Sequence, residues 1–116
     1  MSRQLIFTTL WAAMKLVVKD ERSVMRNIEK LNLTELRALF ISKKISPVEL
    51  VQETITRAKK SSPKINAFRD LLPELAMRSA RIAEKRLLTE LPKKPLLGVP
   101  FSVKDNIDVK GVTSCF

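Results

Sequence analysis

Lys104 stands at the carboxyl end of an apolar, partly β-branched run, Val99-Pro100-Phe101-Ser102-Val103, and is followed directly by Asp105 and Asn106. In open α/β sheets, reacting groups gather just beyond the carboxyl ends of strands. A lysine walled in there by apolar residues loses its charge more readily, and its neutral amine can then act as a base. The plain alternative is a surface lysine that opens a polar turn and pairs with Asp105 or Asp108. On spacing alone the plain alternative stands ahead, because one lysine after a strand is a weak signal.

Few other residue types compete for chemistry. The 116 residues contain no histidine and one cysteine, Cys115. Histidine metal ligands, a Ser-His-Asp triad, a Cys-His pair and an internal disulfide framework are therefore excluded within the chain. No cofactor or metal is expected. Cys115 reads as a small buried residue with nothing nearby to activate a thiolate. The net charge of +10 invites a nucleic-acid partner. A phosphate footprint, however, requires clustered basic residues, with aromatics for stacking on single strands. Here the basic residues are spread out and mixed with acids, as in Glu53/Arg57 and Glu74/Arg78 at i,i+4 spacing, and aromatics make up 5%. The charge reads as solvated helix faces, and no nucleic-acid partner is expected.

The elements that must position Lys104 follow from the apolar periodicity. Leu33, Leu36, Leu39 and Phe40 recur at helical spacing, and Ser42-Lys43-Lys44 ends that helix with cations that suit its dipole. Ser46-Pro47-Val48-Glu49 is a capping box with proline at the first helical position. It opens a helix with Val48, Val51, Ile55 and Ala58 on one face, running to about Lys60, where Ser61-Ser62-Pro63 is expected to stop it. Residues 65–68 form an apolar connector containing Asn66. Pro73-Glu74 opens a third helix, whose Ala76, Ala80, Ala83 and Leu87 suit close packing. Pro92-Lys93-Lys94-Pro95 is a break. After it, a short strand is expected over 99–103, with Pro100 near its start where a missing donor is tolerated. A single strand cannot satisfy its own edges, so the stop at Phe116 reads as a cut.

Residues 1–30 read as a separate apolar and basic segment, and 31–116 as the start of a folded domain. The stretch Leu5 to Val18 is 14 residues long and contains Lys15. That is short of the ~20 residues needed to span a bilayer. A membrane anchor, a targeting segment and a plain amphipathic helix all stay open for it, with no clear cleavage site to favour a signal peptide.

The run PLLGVPFSVKDNIDVKG, residues 95–111, resembles the segment of the amidase-signature family that carries its catalytic lysine. The upstream runs ISPVELVQETITRAKKSSPKINAF, residues 45–68, and LTELRALF, residues 33–40, are similar to the elements preceding it, in the same order. The resemblance covers roughly residues 31–116. It implies the amino-terminal helices and first strand of an α/β/α sandwich around a mixed sheet, incomplete in this chain, and an amidase acting through a Ser-Ser-Lys triad. In that scheme Lys104 is the base toward a serine in a cis peptide bond. That serine relays a proton from a second, nucleophilic serine, which forms an acyl-enzyme. The family's Gly/Ser-rich segment, source of both serines and of the oxyanion-hole amides, has no counterpart here. The only glycines are Gly98 and Gly111, and both are expected to relax the backbone. No nucleophile is assigned, and Ser102 and Ser114 are expected to be structural. Asp105 and Asn106 are expected to shape the turn.

The resemblance implies a small-molecule amide substrate. Two branches fit it. The favoured one, a fatty-acid-amide-hydrolase-like enzyme, would use residues 5–18 for membrane association, would be membrane-associated or cytoplasmic, and suits the long helix and the Lys/Pro spacer before Leu97. The A subunit of glutamyl-tRNA(Gln) amidotransferase would make the first residues a mitochondrial presequence. A reading from another class is a small basic helical module that binds a membrane or a protein. The 116 residues alone are expected to be inactive.

Overall fold

The computed structural model describes residues 21–114. Four α-helices follow one another: α1 Glu21–Arg26, α2 Leu33–Ile41, α3 Pro47–Ile65 and α4 Pro73–Glu90, with a 3-10 turn at Ile28–Lys30 between the first two. The stretch Leu5 to Val18 and Cys115 lie outside the described residues.

Local chemistry sets most of the helix ends. At α3 the Ser46 hydroxyl accepts from the Glu49 amide at 3.1 Å, and the Glu49 carboxylate accepts from the Ser46 amide at 2.9 Å. This reciprocal capping box satisfies two donors that have no intrahelical partner. The same device opens α2, where Asn32 and Glu35 exchange bonds of 2.8 and 2.9 Å. The α2 terminus is a backbone motif. Lys43 adopts φ 57°, and the Lys43 and Lys44 amides bond back to the Phe40 and Leu39 carbonyls at 3.1 and 3.0 Å. That is a Schellman closure with lysine at the left-handed position normally given to glycine.

α3 runs past the expected stop. Pro63 lies inside the helix, which ends only when Asn66 turns left-handed at φ 50°. The ring removes one N–H from the last turn, but the Asn66 amide still reaches the Ser62 carbonyl at 2.7 Å and closes the end.

The apolar faces meet in two clusters. Leu36, Leu39, Phe40, Ile45, Leu50, Leu87, Leu91 and Val24 form the larger one, with Leu97 and Val99 packed onto it. Val51, Ile55 and Ala80 form the second, between α3 and α4, with Val48, Ala76 and Met77 at its margin. The small Ala80 and Ala83, both buried, let the α3 and α4 backbones approach closely, as their spacing implies. The amino-terminal turns are latched onto α3 by Arg57. Its guanidinium bonds Glu53 at 2.6 Å, Glu29, and the carbonyls of Met25 and Arg26 at 2.6 and 3.3 Å.

The expected strand at 99–103 does not form, and with it the α/β fold class fails: every regular element among the described residues is a helix, with no strand and no sheet. The physical reason is local. A strand exists by pairing, and no described segment runs beside 99–103 to complete a ladder. Between the Val99 amide, bonded to Leu96 at 3.1 Å, and the Ile107 amide, bonded to Lys104 at 3.0 Å, no backbone hydrogen bond ties this stretch to another described element. Val99 packs on the core, yet Phe101 is 87% exposed. β-branched and aromatic composition marks a segment that suits a pleated surface, and it cannot supply the neighbour.

Candidate functional site

The segment carrying Lys104 leaves the core at Gly98. This glycine has φ +85°, and a Cβ there would lie 2.9 Å from Pro47 Cγ and 3.3 Å from Phe40 Cε2. The chain thus passes over the start of α3 where only a glycine fits, both by backbone conformation and by space. Beyond it, 99–103 carries no regular hydrogen bonding, and Lys104 opens a turn closed by its own carbonyl and the Ile107 amide. Asp105 and Asn106 occupy the middle of that turn. A second turn at Val109–Val112, closed at 3.0 Å, contains Gly111 with φ +83° in open space.

Lys104 is exposed, so the apolar wall expected around it is not supplied by the described residues. The neighbouring acids are engaged elsewhere. Asp108 accepts from the Ser114 hydroxyl at 2.6 Å, and Asp105 faces Arg69 at 3.5 Å. The lysine lies on the rim of an open concavity of about 1140 Å³. Its walls are the apolar faces of α3 and α4, the 66–72 connector and the 96–114 tail. Ser102 and Ser114 also line it, as does Ser79. Ser102 is exposed, and the Ser114 hydroxyl is committed to Asp108, so no described serine is set against Lys104 by a hydrogen bond.

Arg69 is the residue that sequence reasoning missed. It sits in the connector between α3 and α4, pairs with Asp70 at 2.6 Å, reaches Asp105, and donates to the Thr113 carbonyl. Nothing periodic marks it, because Asp105 and Thr113 lie far along the chain. The adjoining Asp70 reads as an ordinary surface pair.

Protonation shifts fall elsewhere. The Arg86 guanidinium, and after it Lys94, lower the Glu90 carboxyl to about 2. Hydrogen bonding to its own backbone amide, and then Arg57, holds Glu29 below the usual carboxylate range. Neither group lines the concavity. No cluster of potential metal ligands occurs among the described residues. No helix among them is long and apolar enough to cross a membrane.

The sequence of this region matches the family model described as Amidase over residues 49–116. The chain belongs to the Amidase family. The match runs through α3, α4 and the whole Lys104 segment of this amidase-family chain. It is 38% identical over 84 residues to the Mycobacterium tuberculosis protein named "Putative amidase AmiA2", covering 72% of this chain and 17% of that protein. It is 36% identical over 81 residues to the A subunit of glutamyl-tRNA(Gln) amidotransferase from Enterococcus faecalis, covering 70% and 16% respectively. The corresponding mitochondrial protein of Ixodes scapularis is 42% identical over 86 residues, covering 73% and 17%. The chain therefore spans about a sixth of the length of these relatives. No solved structure gives a significant match.

Proposed function

We propose that Lys104 is the catalytic base of an enzyme that cleaves the C–N bond of a carboxylic acid amide. The observation that carries this reading is that the Amidase match, residues 49–116, runs through the Lys104 segment. Support comes also from its position on the rim of a concavity wide enough for a small amide. In the Ser-Ser-Lys scheme, Lys104 takes a proton from a relay serine, which takes one from the nucleophilic serine as that oxygen attacks the carbonyl carbon. The C–N bond then breaks, the amine leaves with the returned proton, and the acyl-enzyme is hydrolysed by water. Neither serine of that scheme is assigned to the 116 residues, so the chain by itself turns over no amide.

The test is amide turnover by the natural gene product and its Lys104→Ala variant. Loss of about a thousandfold or more in kcat is expected, the scale on which a member of a concerted triad acts. Near-normal turnover by the variant would show Lys104 to be a surface residue.

Between the two branches, the fatty-acid-amide reading rests on residues 5–18 and the Lys/Pro spacer at 92–95. The amidotransferase reading is favoured by a specific observation: two relatives at 36% and 42% identity bear that name. Hydrolysis of a long-chain fatty amide by the gene product selects the first branch. Transfer of an amide group to glutamyl-tRNA(Gln) selects the second.

A further inference from the structure

The segment that carries Lys104 has no strand pairing to hold it, yet two points on it are gripped by one side chain. Arg69 reaches Asp105, immediately after the lysine, at 3.5 Å and also donates to the Thr113 carbonyl near the end of the same loop. Its own anchor is the short connector between α3 and α4, where Asp70 holds the guanidinium at 2.6 Å. A planar guanidinium with several donors in fixed directions can serve a carboxylate and a carbonyl together, which a lysine's single ammonium cannot do with the same geometry. The loop from 105 to 113 is thereby stapled at both ends to the wall of the concavity, and the position of Lys104 is set from outside its own segment. Gly98 fixes the loop's entry, and Arg69 fixes its far side.

We propose that Arg69 is a positioning residue for Lys104. It acts through Asp105 and the Thr113 carbonyl to hold the amine at the rim of the concavity, and it contributes no proton transfer itself. The inference rests on the reading of Lys104 as base. An ion pair on a half-exposed surface contributes little to global stability, so a role in stability alone predicts almost no consequence of losing it. A positioning role predicts a selective one, because misplacement of a catalytic group by about an ångström costs rate before it costs binding.

The experiment uses two readouts. In the natural gene product, Arg69→Gln and Asp105→Asn should each lower kcat about tenfold or more with KM near its original value, and Arg69→Lys should recover part of the loss. In the same protein, Arg69→Gln should speed hydrogen exchange at the Ile107 and Val112 amides while leaving the amides of α3 and α4 unchanged. Unchanged kcat in Arg69→Gln alongside an inactive Lys104→Ala overturns the positioning role and leaves the base assignment standing. An active Lys104→Ala overturns both. Equal acceleration of exchange throughout α3 and α4 would make Arg69 a general stabiliser and would also overturn the proposal. Asp105→Asn provides the same test where Arg69→Gln folds poorly, since Asp105 is exposed and lies outside both core clusters.

Discussion

At the scale of single residues, the region around Lys104 is governed by two positions whose roles differ in kind. Gly98 is irreplaceable for steric reasons: its φ of +85° disfavours any side chain, and Pro47 and Phe40 already occupy the space a Cβ would need. Gly98→Ala should destabilise the chain by about 2 kcal/mol or more, combining the left-handed penalty with overpacking. Urea unfolding would measure it, and an unchanged midpoint would mean that the tail does not rest on α3 as described. Lys104, by contrast, is set by what surrounds it. Its identity is legible from the motif. Its exposure and its lack of an acidic partner are not: no described segment covers it, and Asp105 and Asp108 face Arg69 and Ser114 instead.

At the scale of elements, the helix ends show how far local rules reach. The capping box at Ser46 follows directly from its four-residue spacing, and the equivalent Asn32-x-x-Glu35 carries the same signal. Pro63 reads locally as a stop, yet a helix of 19 residues absorbs one missing donor in its last turn. The α2 terminus holds a residual strain, since Lys43 sits where an L side chain is disfavoured. Lys43→Gly should stabilise the chain by about 0.5–1 kcal/mol, the relief of left-handed strain being offset in part by glycine's greater unfolded entropy. Thermal melting should register this as a rise of a few degrees. A fall in Tm would show that the Schellman closure is not what ends α2.

At the scale of the whole molecule, surface charge sets a pH dependence. Glu90 accepts from Arg86 at 2.5 and 2.6 Å and from Lys94 at 2.8 Å, and its carboxyl titrates at about 2 instead of the usual 4.5. A depressed carboxylate contributes stability that is present above its unfolded value and is lost as the pH falls through the folded one. Glu29 is lowered in the same direction by its backbone amide and Arg57. The chain should therefore lose stability as pH falls from about 4.5 toward 2, and Glu90→Gln should flatten part of that loss. Chemical denaturation at several pH values in that window would show it. Parallel curves for the two proteins would mean that the Arg86–Glu90–Lys94 group is open in solution, as exposed pairs often are.

The sequence by itself determined the three principal helices, the capping box that opens α3, the alanine face that lets α3 and α4 pack, and the family, because each rests on residues within a few positions of one another or on an ordered motif. It also determined that histidine chemistry has no place in these residues. Tertiary structure alone decided the rest. The run at 99–103 has the composition of a strand and no described neighbour to pair with, so its backbone stays without a ladder. Arg69 gains its role only because the connector between α3 and α4 comes to lie beside a loop far along the chain. Composition and spacing encode what a segment can do, whereas pairing and long-range contact depend on what the fold places next to it.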